Sequence, residues 1–448
     1  MRQPDLFFFP KFDCLILNCI NPFETMKSGI LFFLSCFLAI TVSAQQKQVT
    51  AQQADRTLIP VIQPGAEQLK NYLDLLLGKR VAVFANQTSV IGPSHLVDSL
   101  QKLGVDIRVI FGPEHGFRGD ADAGEKVGNY IDKRTGIPVI SLYGAKRRPD
   151  EKDLQEIDVM IFDIQDVGVR FYTFISSLEA YIQSAVEFNK PLIVLDRPNP
   201  NGFYVDGPVL DTTYRSFIGR QPIPIVYGLT IGEYAGMLLG EGWIQGTAPV
   251  KNDRNVQGGF GLTVIKCANY THRSLYVPPI KPSPNLPDIQ TIYLYPSTCF
   301  FEGTDLSEGR GTNKPFMLFG HPSLPASMTA FTPQPNAGAK SSKHYGKQCY
   351  GWELSGTPQE ILAMTKGQIQ LKWLLEAYRL FPEKDSFFLL PKSGDIKASF
   401  FNKLAGNNDL WQQVRDGRSE EEIKKSWEPA LSQYKLMRKK YLLYEDFE

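Results

Sequence analysis

Within the ten residues Phe111-Gly112-Pro113-Glu114-His115-Gly116-Phe117-Arg118-Gly119-Asp120, an acid, an imidazole and a guanidinium fall within five positions of one another. They follow the apolar, β-branched run Ile107-Arg108-Val109-Ile110, so the reactive groups gather at the end of a strand. A carboxyl and an imidazole placed there can exchange protons with a substrate, and a guanidinium can pair with an anion. Gly112, Gly116, Gly119 and Pro113 make the segment a turn with unusual backbone angles rather than the start of a regular helix. A solvated turn has the same composition, so the elements around it decide its meaning.

Those elements alternate. The apolar positions of residues 65–78 suit a helix closed by Gly78, and Val81-Ala82-Val83-Phe84 reads as a short buried strand ending at Asn86. Pro93 to Leu103 reads as a helix closed by Gly104, followed by the strand 106–111. Further strands run 138–142, 159–162 and 192–195, and a helix runs from Phe174 to Phe188. Short uninterrupted apolar strands alternating with helices imply a parallel sheet covered on both faces, a Rossmann-like α/β layer. Ligands of such sheets bind outside the carboxyl ends of the strands. Here those ends carry Asn86, Glu114-His115, Tyr143, Asp163-Ile164-Gln165-Asp166 and Asp196-Arg197-Pro198-Asn199. Polar, chemically capable groups at five exits on one rim predict a cleft there.

At 448 residues the chain exceeds one ordinary core. Pro278 to Pro287 holds five prolines and marks the passage into a second domain. That domain opens with Glu302-Gly303-Thr304-Asp305-Leu306-Ser307-Glu308-Gly309-Arg310, a glycine-rich loop whose acids and arginine suit a cleft wall. Thr357 to Leu380 reads as one or two helices, and from Ser419 the chain is helical with an interruption near Pro429. The expected organisation is a leader over 1–44, a flexible lead-in over 45–60, a Rossmann-like catalytic domain over 61–282, and a smaller α/β or α+β domain over 283–448 that completes the cleft.

The leader follows from Met26 to Gln45, which carries a lysine, an apolar run from Ile30 to Val42 and small residues before a cut after Ala44. This is the layout of a secretory signal, so the chain is expected to be exported, periplasmic or extracellular, with no transmembrane segment once mature. A formal charge of +1 offers no global field for nucleic acid or an anionic membrane. Cys267, Cys299 and Cys349 would remain in the mature chain, enough for one bridge at most.

No Gly-x-Gly-x-x-Gly, Walker loop, His-Glu-x-x-His or Gly-x-Ser-x-Gly is present, so no cofactor is expected. Acids dominate instead. Glycosidic cleavage needs a carboxylic acid for the leaving oxygen and a second group for the oxocarbenium-like centre. Glu114 with Asp163 or Asp166 offers that set, and His115 could assist Glu114. Arg118, Arg170 and Arg197 suit a substrate carboxylate or structural ion pairs. Glu114, His115, Asp120 and Asp122 include metal-capable groups, but their spacing matches no known metal loop, and no metal is expected.

Four motifs in order carry a resemblance: Phe111 to Gly119, Asp163-Ile164-Gln165-Asp166-Val167-Gly168-Val169-Arg170-Phe171-Tyr172-Thr173, Leu195-Asp196-Arg197-Pro198-Asn199-Pro200, and Phe301-Glu302-Gly303-Thr304. From about residue 65 onward the chain resembles the exo-β-N-acetylmuramidase family, glycoside hydrolase family 171. The resemblance implies an active site between the two domains and release of terminal β-linked N-acetylmuramic acid from the non-reducing ends of peptidoglycan fragments. It places the family's acid/base glutamate on Glu114. The expected catalytic residues are therefore Glu114, Asp163, Asp166 and His115, and the expected substrate-binding residues Asn86, Arg118, Tyr143, Arg170, Tyr172, Asp196, Arg197, Asn199, Glu302 and Arg310. A non-catalytic muropeptide-binding module and a metal-dependent hydrolase on the same rim are the competing readings.

Overall fold

The computed structural model describes residues 61–114, 116–119, 128–246 and 261–448. The leader, the lead-in, His115, Asp120 and Asp122 therefore lie outside the described residues. The strands are β1 (Arg80–Ala85), β2 (Asp106–Gly112), β3 (Tyr130–Ile131), β4 (Pro138–Ser141), β5 (Val159–Asp163), β6 (Leu192–Leu195) and β7 (Leu262–Ile265). They form one sheet in the order β3-β4-β2-β1-β5-β6-β7, parallel except for the short edge strand β3. The chain winds outward from β1 through β2 to β4, then returns to β5 on the other side of β1. This is the doubly wound order, with its switch point between β1 and β5.

Alternate residues of the strands feed two different cores, which is why these runs are apolar throughout. Val81, Val83, Ile107, Ile110, Ile161 and Ile193 pack with Leu96, Val97 and Leu100 of the helix Leu96–Lys102. Ala82, Phe84, Val109, Phe111, Phe162 and Val194 face the helices Phe174–Glu187 and Ile231–Gly240. That second cluster continues without a break into Phe300, Phe301, Phe319, Trp373 and Tyr434, so Ile62–Glu448 form one compact unit. The smaller C-terminal part holds an antiparallel sheet of Leu318–His321, Cys349–Glu353 and Thr329–Phe331, with helices around it.

Two local expectations change. Residues 65–75 form three successive 3-10 turns, not an α-helix, because Gln68 and Tyr72 leave helical angles (ψ 43° and φ −142°). The turns are tied to the sheet by Gly65 N–H to the Asp196 carbonyl at 2.7 Å, and Tyr72 O–H to the Ala66 carbonyl at 2.7 Å closes them on themselves. The last long helix runs unbroken from Glu420 to Arg438 through Pro429. Its buried stripe of Ile423, Trp427, Leu431 and Tyr434 outweighs the hydrogen bond that proline removes. Cys267, Cys299 and Cys349 are buried, unbridged thiols. Among the described residues no helix is long and apolar enough to cross a membrane.

Candidate active site

The rim of the sheet and the second domain meet in a cavity of about 320 Å³. Glu114 enters it from the exit of β2, Tyr143 from that of β4, and Phe171, Tyr172 and Thr173 from the long exit of β5. The second domain supplies Tyr295, Glu302, Arg310, Phe316 and Phe400. The turn that carries Glu114 takes the backbone expected of it, with Gly116 and Gly119 at φ +75° and +78°. Tyr143 hydrogen-bonds Glu114, and burial together with that carboxylate pushes the phenol up to about 12, so Tyr143 is a neutral hydroxyl. Tyr172 donates its hydroxyl to the Pro282 carbonyl at 2.8 Å, and burial with the nearby charges of Asp166 and Glu114 keeps it protonated.

Across the cavity Arg310 donates to Glu302 at 2.6 Å and lies 3.4 Å from Glu308. Burial opposes the charge of Arg310, but Glu302 and Glu308 outweigh it and raise its pKa. Glu308 also meets Lys343 at 2.9 Å, and Lys343 donates to the carbonyls of Phe301 and Thr304 at 2.6 and 2.8 Å. The glycine-rich loop is thereby tied at both ends, and Glu302 is aimed by its own neighbours.

Other rim residues are bound inside the protein and do not line this cavity. Asp163 accepts two Arg197 N–H bonds at 2.6 and 2.8 Å, and Arg197 also donates to the Val90 carbonyl at 3.1 Å. Both are buried at the switch point, where Asn86 accepts from the Thr88 amide and hydroxyl at 2.9 and 2.6 Å. Protein thus fills the crevice that a dinucleotide would occupy in a Rossmann enzyme. Asp166 is buried and accepts from Gly168 N–H at 2.6 Å and from Tyr227 O–H. Burial pushes it up to about 7 against those bonds. Asp196 accepts from Thr230, Tyr444 and the Gly232 amide, and burial pushes it up to about 6. Asn199 bridges the Leu229 carbonyl and the Asn201 amide. Arg118 joins Asp98 and Asp132 at 3.2 and 2.8 Å over the Phe117 ring, and Arg170 donates to four backbone carbonyls. Among the described residues, the acids that reach the cavity are therefore Glu114 and Glu302.

Two family models together cover this architecture. Residues 81–290 match the N-terminal part of the exo-β-N-acetylmuramidase NamZ family, and residues 293–444 match its C-terminal part. The chain belongs to the exo-β-N-acetylmuramidase family. It is 36% identical over 442 residues to the peptidoglycan β-N-acetylmuramidase NamZ of Bacillus subtilis (strain 168), covering 93% of this chain and 98% of that protein. Among solved structures, a DUF1343 family protein of Bacteroides fragilis NCTC 9343 is 41% identical with a TM-score of 0.76, covering 86% of this chain and 100% of the other. A second DUF1343 family protein of that organism is 27% identical with a TM-score of 0.70, covering 86% and 99%.

In this exo-β-N-acetylmuramidase family member the cavity also contains a residue that sequence reasoning misses. Arg147 lies over the rings of Phe217 and Tyr143 at 4.2 and 5.4 Å and has no acidic partner among the described residues. The basic run Lys146-Arg147-Arg148 directly after a strand exit is the signal for it. Among the described residues, Asp305, His321 and His344 are close enough to hold a metal, their ligand atoms lying within 4.8 Å. None of them lines the cavity. The Ser323 N–H donates to His321 Nδ1 at 3.1 Å, which leaves the Nε2 proton facing Asp305 at 3.2 Å and describes a hydrogen-bonded cluster.

Proposed function

We propose that the protein is an exo-acting glycoside hydrolase that releases terminal β-linked N-acetylmuramic acid from the non-reducing ends of peptidoglycan fragments. The observation that carries this reading is the convergence of Glu114 and Glu302, from two domains, on one cavity walled by aromatic rings. Glu114 passes its proton to the glycosidic oxygen as the bond to the anomeric carbon breaks. Water then adds to that carbon and returns a proton to Glu114. Glu302, oriented by Arg310, is the second carboxylate available to the oxocarbenium-like centre. Tyr143 steadies Glu114 by its hydrogen bond. Arg147, a cation without an acidic partner among the described residues, suits the lactyl carboxylate that distinguishes muramic acid from N-acetylglucosamine.

Glu114→Gln keeps the shape and removes the acid. Turnover of a para-nitrophenyl N-acetylmuraminide should fall by roughly 10²- to 10⁴-fold with the melting temperature little changed. Near-normal turnover would remove Glu114 from the role. Activity in excess chelator should equal that without it, and loss there would favour the metal-dependent reading. Export with a cut after Ala44 belongs to the same proposal, since the substrate lies outside the cytoplasmic membrane. It is checked by the mass of the mature N-terminus.

A further inference from the structure

Beside the catalytic cavity lies a larger one, of about 600 Å³, which the proposed reaction does not use. Arg147 lines both. Arg215 and Ser216 face the larger cavity while the next residues, Phe217 and Ile218, face the catalytic one. The helix Phe174–Glu187 runs from one to the other, with Phe174 in the catalytic cavity and Glu179, Gln183 and Glu187 in its neighbour. At about 1.5 Å per residue, Glu179 lies roughly 8 Å further along that helix than Phe174.

The larger cavity has a built polar lining. Its walls carry Arg147, Arg148, Arg215 and Arg220 against Glu179 and Glu187, so positive charges exceed negative ones by two. Arg148 is paired with Glu187, and Arg220 lies 2.8 Å from Glu179. Among the described residues Arg215 has only the neutral Gln221 carbonyl oxygen, at 3.3 Å. Glu179 is buried, with one oxygen engaged by Arg220 and Gln221. Its other oxygen and the Ser216 hydroxyl have no hydrogen-bond partner among the described residues. Spare cationic donors beside spare acceptors, in a volume typical of ligand sites, fit a carboxylate that carries amide N–H groups next to it.

Building on the glycan-cleaving reading above, we propose that this cavity is a distal subsite for a carboxylate on the leaving part of the substrate. The carboxylate would come from the lactyl group of the next muramic residue or from a stem peptide attached to it. The test compares the disaccharide N-acetylmuramyl-N-acetylglucosamine, the corresponding peptide-free tetrasaccharide and its peptide-bearing form. In Arg215→Gln, KM for the longer substrates should rise about tenfold relative to KM for the disaccharide, with kcat unchanged. A shift with the peptide-free tetrasaccharide identifies the lactyl source, and a shift confined to the peptide-bearing form identifies the stem. Equal effects on all three overturn the subsite. Calorimetric binding of the tetrasaccharides to Glu114→Gln, with and without Arg215→Gln, makes the same comparison without turnover. Absence of any hydrolysis therefore bears on the reaction, while unchanged affinity bears on the subsite. Arg148→Gln is the second variant should Arg215→Gln fail to fold.

Discussion

The hydrogen bonds that the buried Asp166 carboxyl accepts from Gly168 N–H and Tyr227 O–H fall on one of its oxygens. The other oxygen has no partner among the described residues. A carboxylate is thus solvated on one oxygen only, which agrees with burial pushing the group up to about 7. Because the folded value lies above the unfolded one, the stability this residue contributes is fully present below about pH 4. It is lost as pH rises through about 7. Asp166→Asn mimics the protonated form, so denaturant melts should show a flatter decline between pH 4 and 7 than the parent, by an amount on the order of a few kcal/mol. Parallel profiles would mean that Asp166 does not titrate there. Glu302 calls for the opposite substitution logic, since the proposed reaction draws on its carboxylate. Glu302→Gln leaves Arg310 an acceptor, and kcat should fall roughly 100-fold with substrate affinity and melting temperature nearly retained.

At the scale of elements, Arg170 shows how a motif residue can serve the fold. Its guanidinium donates to the carbonyls of Pro208, Ile223, Leu404 and Ala405, fastening the long connection after β6 to the helix Phe400–Ala405 of the second part. Burial lowers it to about 9, yet it is still charged at neutral pH. Arg170→Met should cost about 3 kcal/mol or more because carbonyls are left unsatisfied, read as a lower denaturation midpoint with KM for small substrates little altered. Such roles are not visible along the chain. The parallel strands are legible because both of their faces are apolar, and Glu114, Tyr143, Tyr172, Glu302 and Arg310 because they leave strands or a glycine-rich loop toward one rim. Arg118 and Arg197 share that pattern, but only the fold brings Asp98 and Asp132 to the first and Asp163 to the second. The 3-10 turns over 65–75 carry a helical apolar pattern, and the tertiary bond of Gly65 to Asp196 together with the local bond of Tyr72 to Ala66 accompanies the turns in place of the helix.

Over the whole molecule, the last residues of the chain close back on the first domain. Tyr444 O–H donates to Asp196 at 2.6 Å, at the exit of β6 and 248 positions away in sequence. The Leu443 amide donates to Glu233 at 2.8 Å, and the His272 amide donates to the Glu445 carbonyl at 2.9 Å. Buried Arg438 spans the joint, donating to the Gly228 carbonyl at 2.8 Å and pairing with Asp446 at 2.8 Å. None of these groups lines the cavity of Glu114 and Glu302, so on the proposed reading the closure acts on stability and not on chemistry. Deleting Tyr444–Glu448 would leave Arg438 buried without its acid and would take from buried Asp196 the Tyr444 donor, leaving it only those of Thr230 and the backbone, and both losses are costly in a low-dielectric setting. The truncated protein should lose about 3–5 kcal/mol and become protease-sensitive in its last helix, while the surviving folded fraction keeps the parent kcat. Asp446→Asn removes the ion pair while leaving a side-chain carbonyl acceptor and should fall between the two. If truncation and parent melt together, the tail is not a clamp. If kcat falls in proportion to stability at temperatures well below the melt, the closure also sets the cavity, and the two domains are coupled through β6.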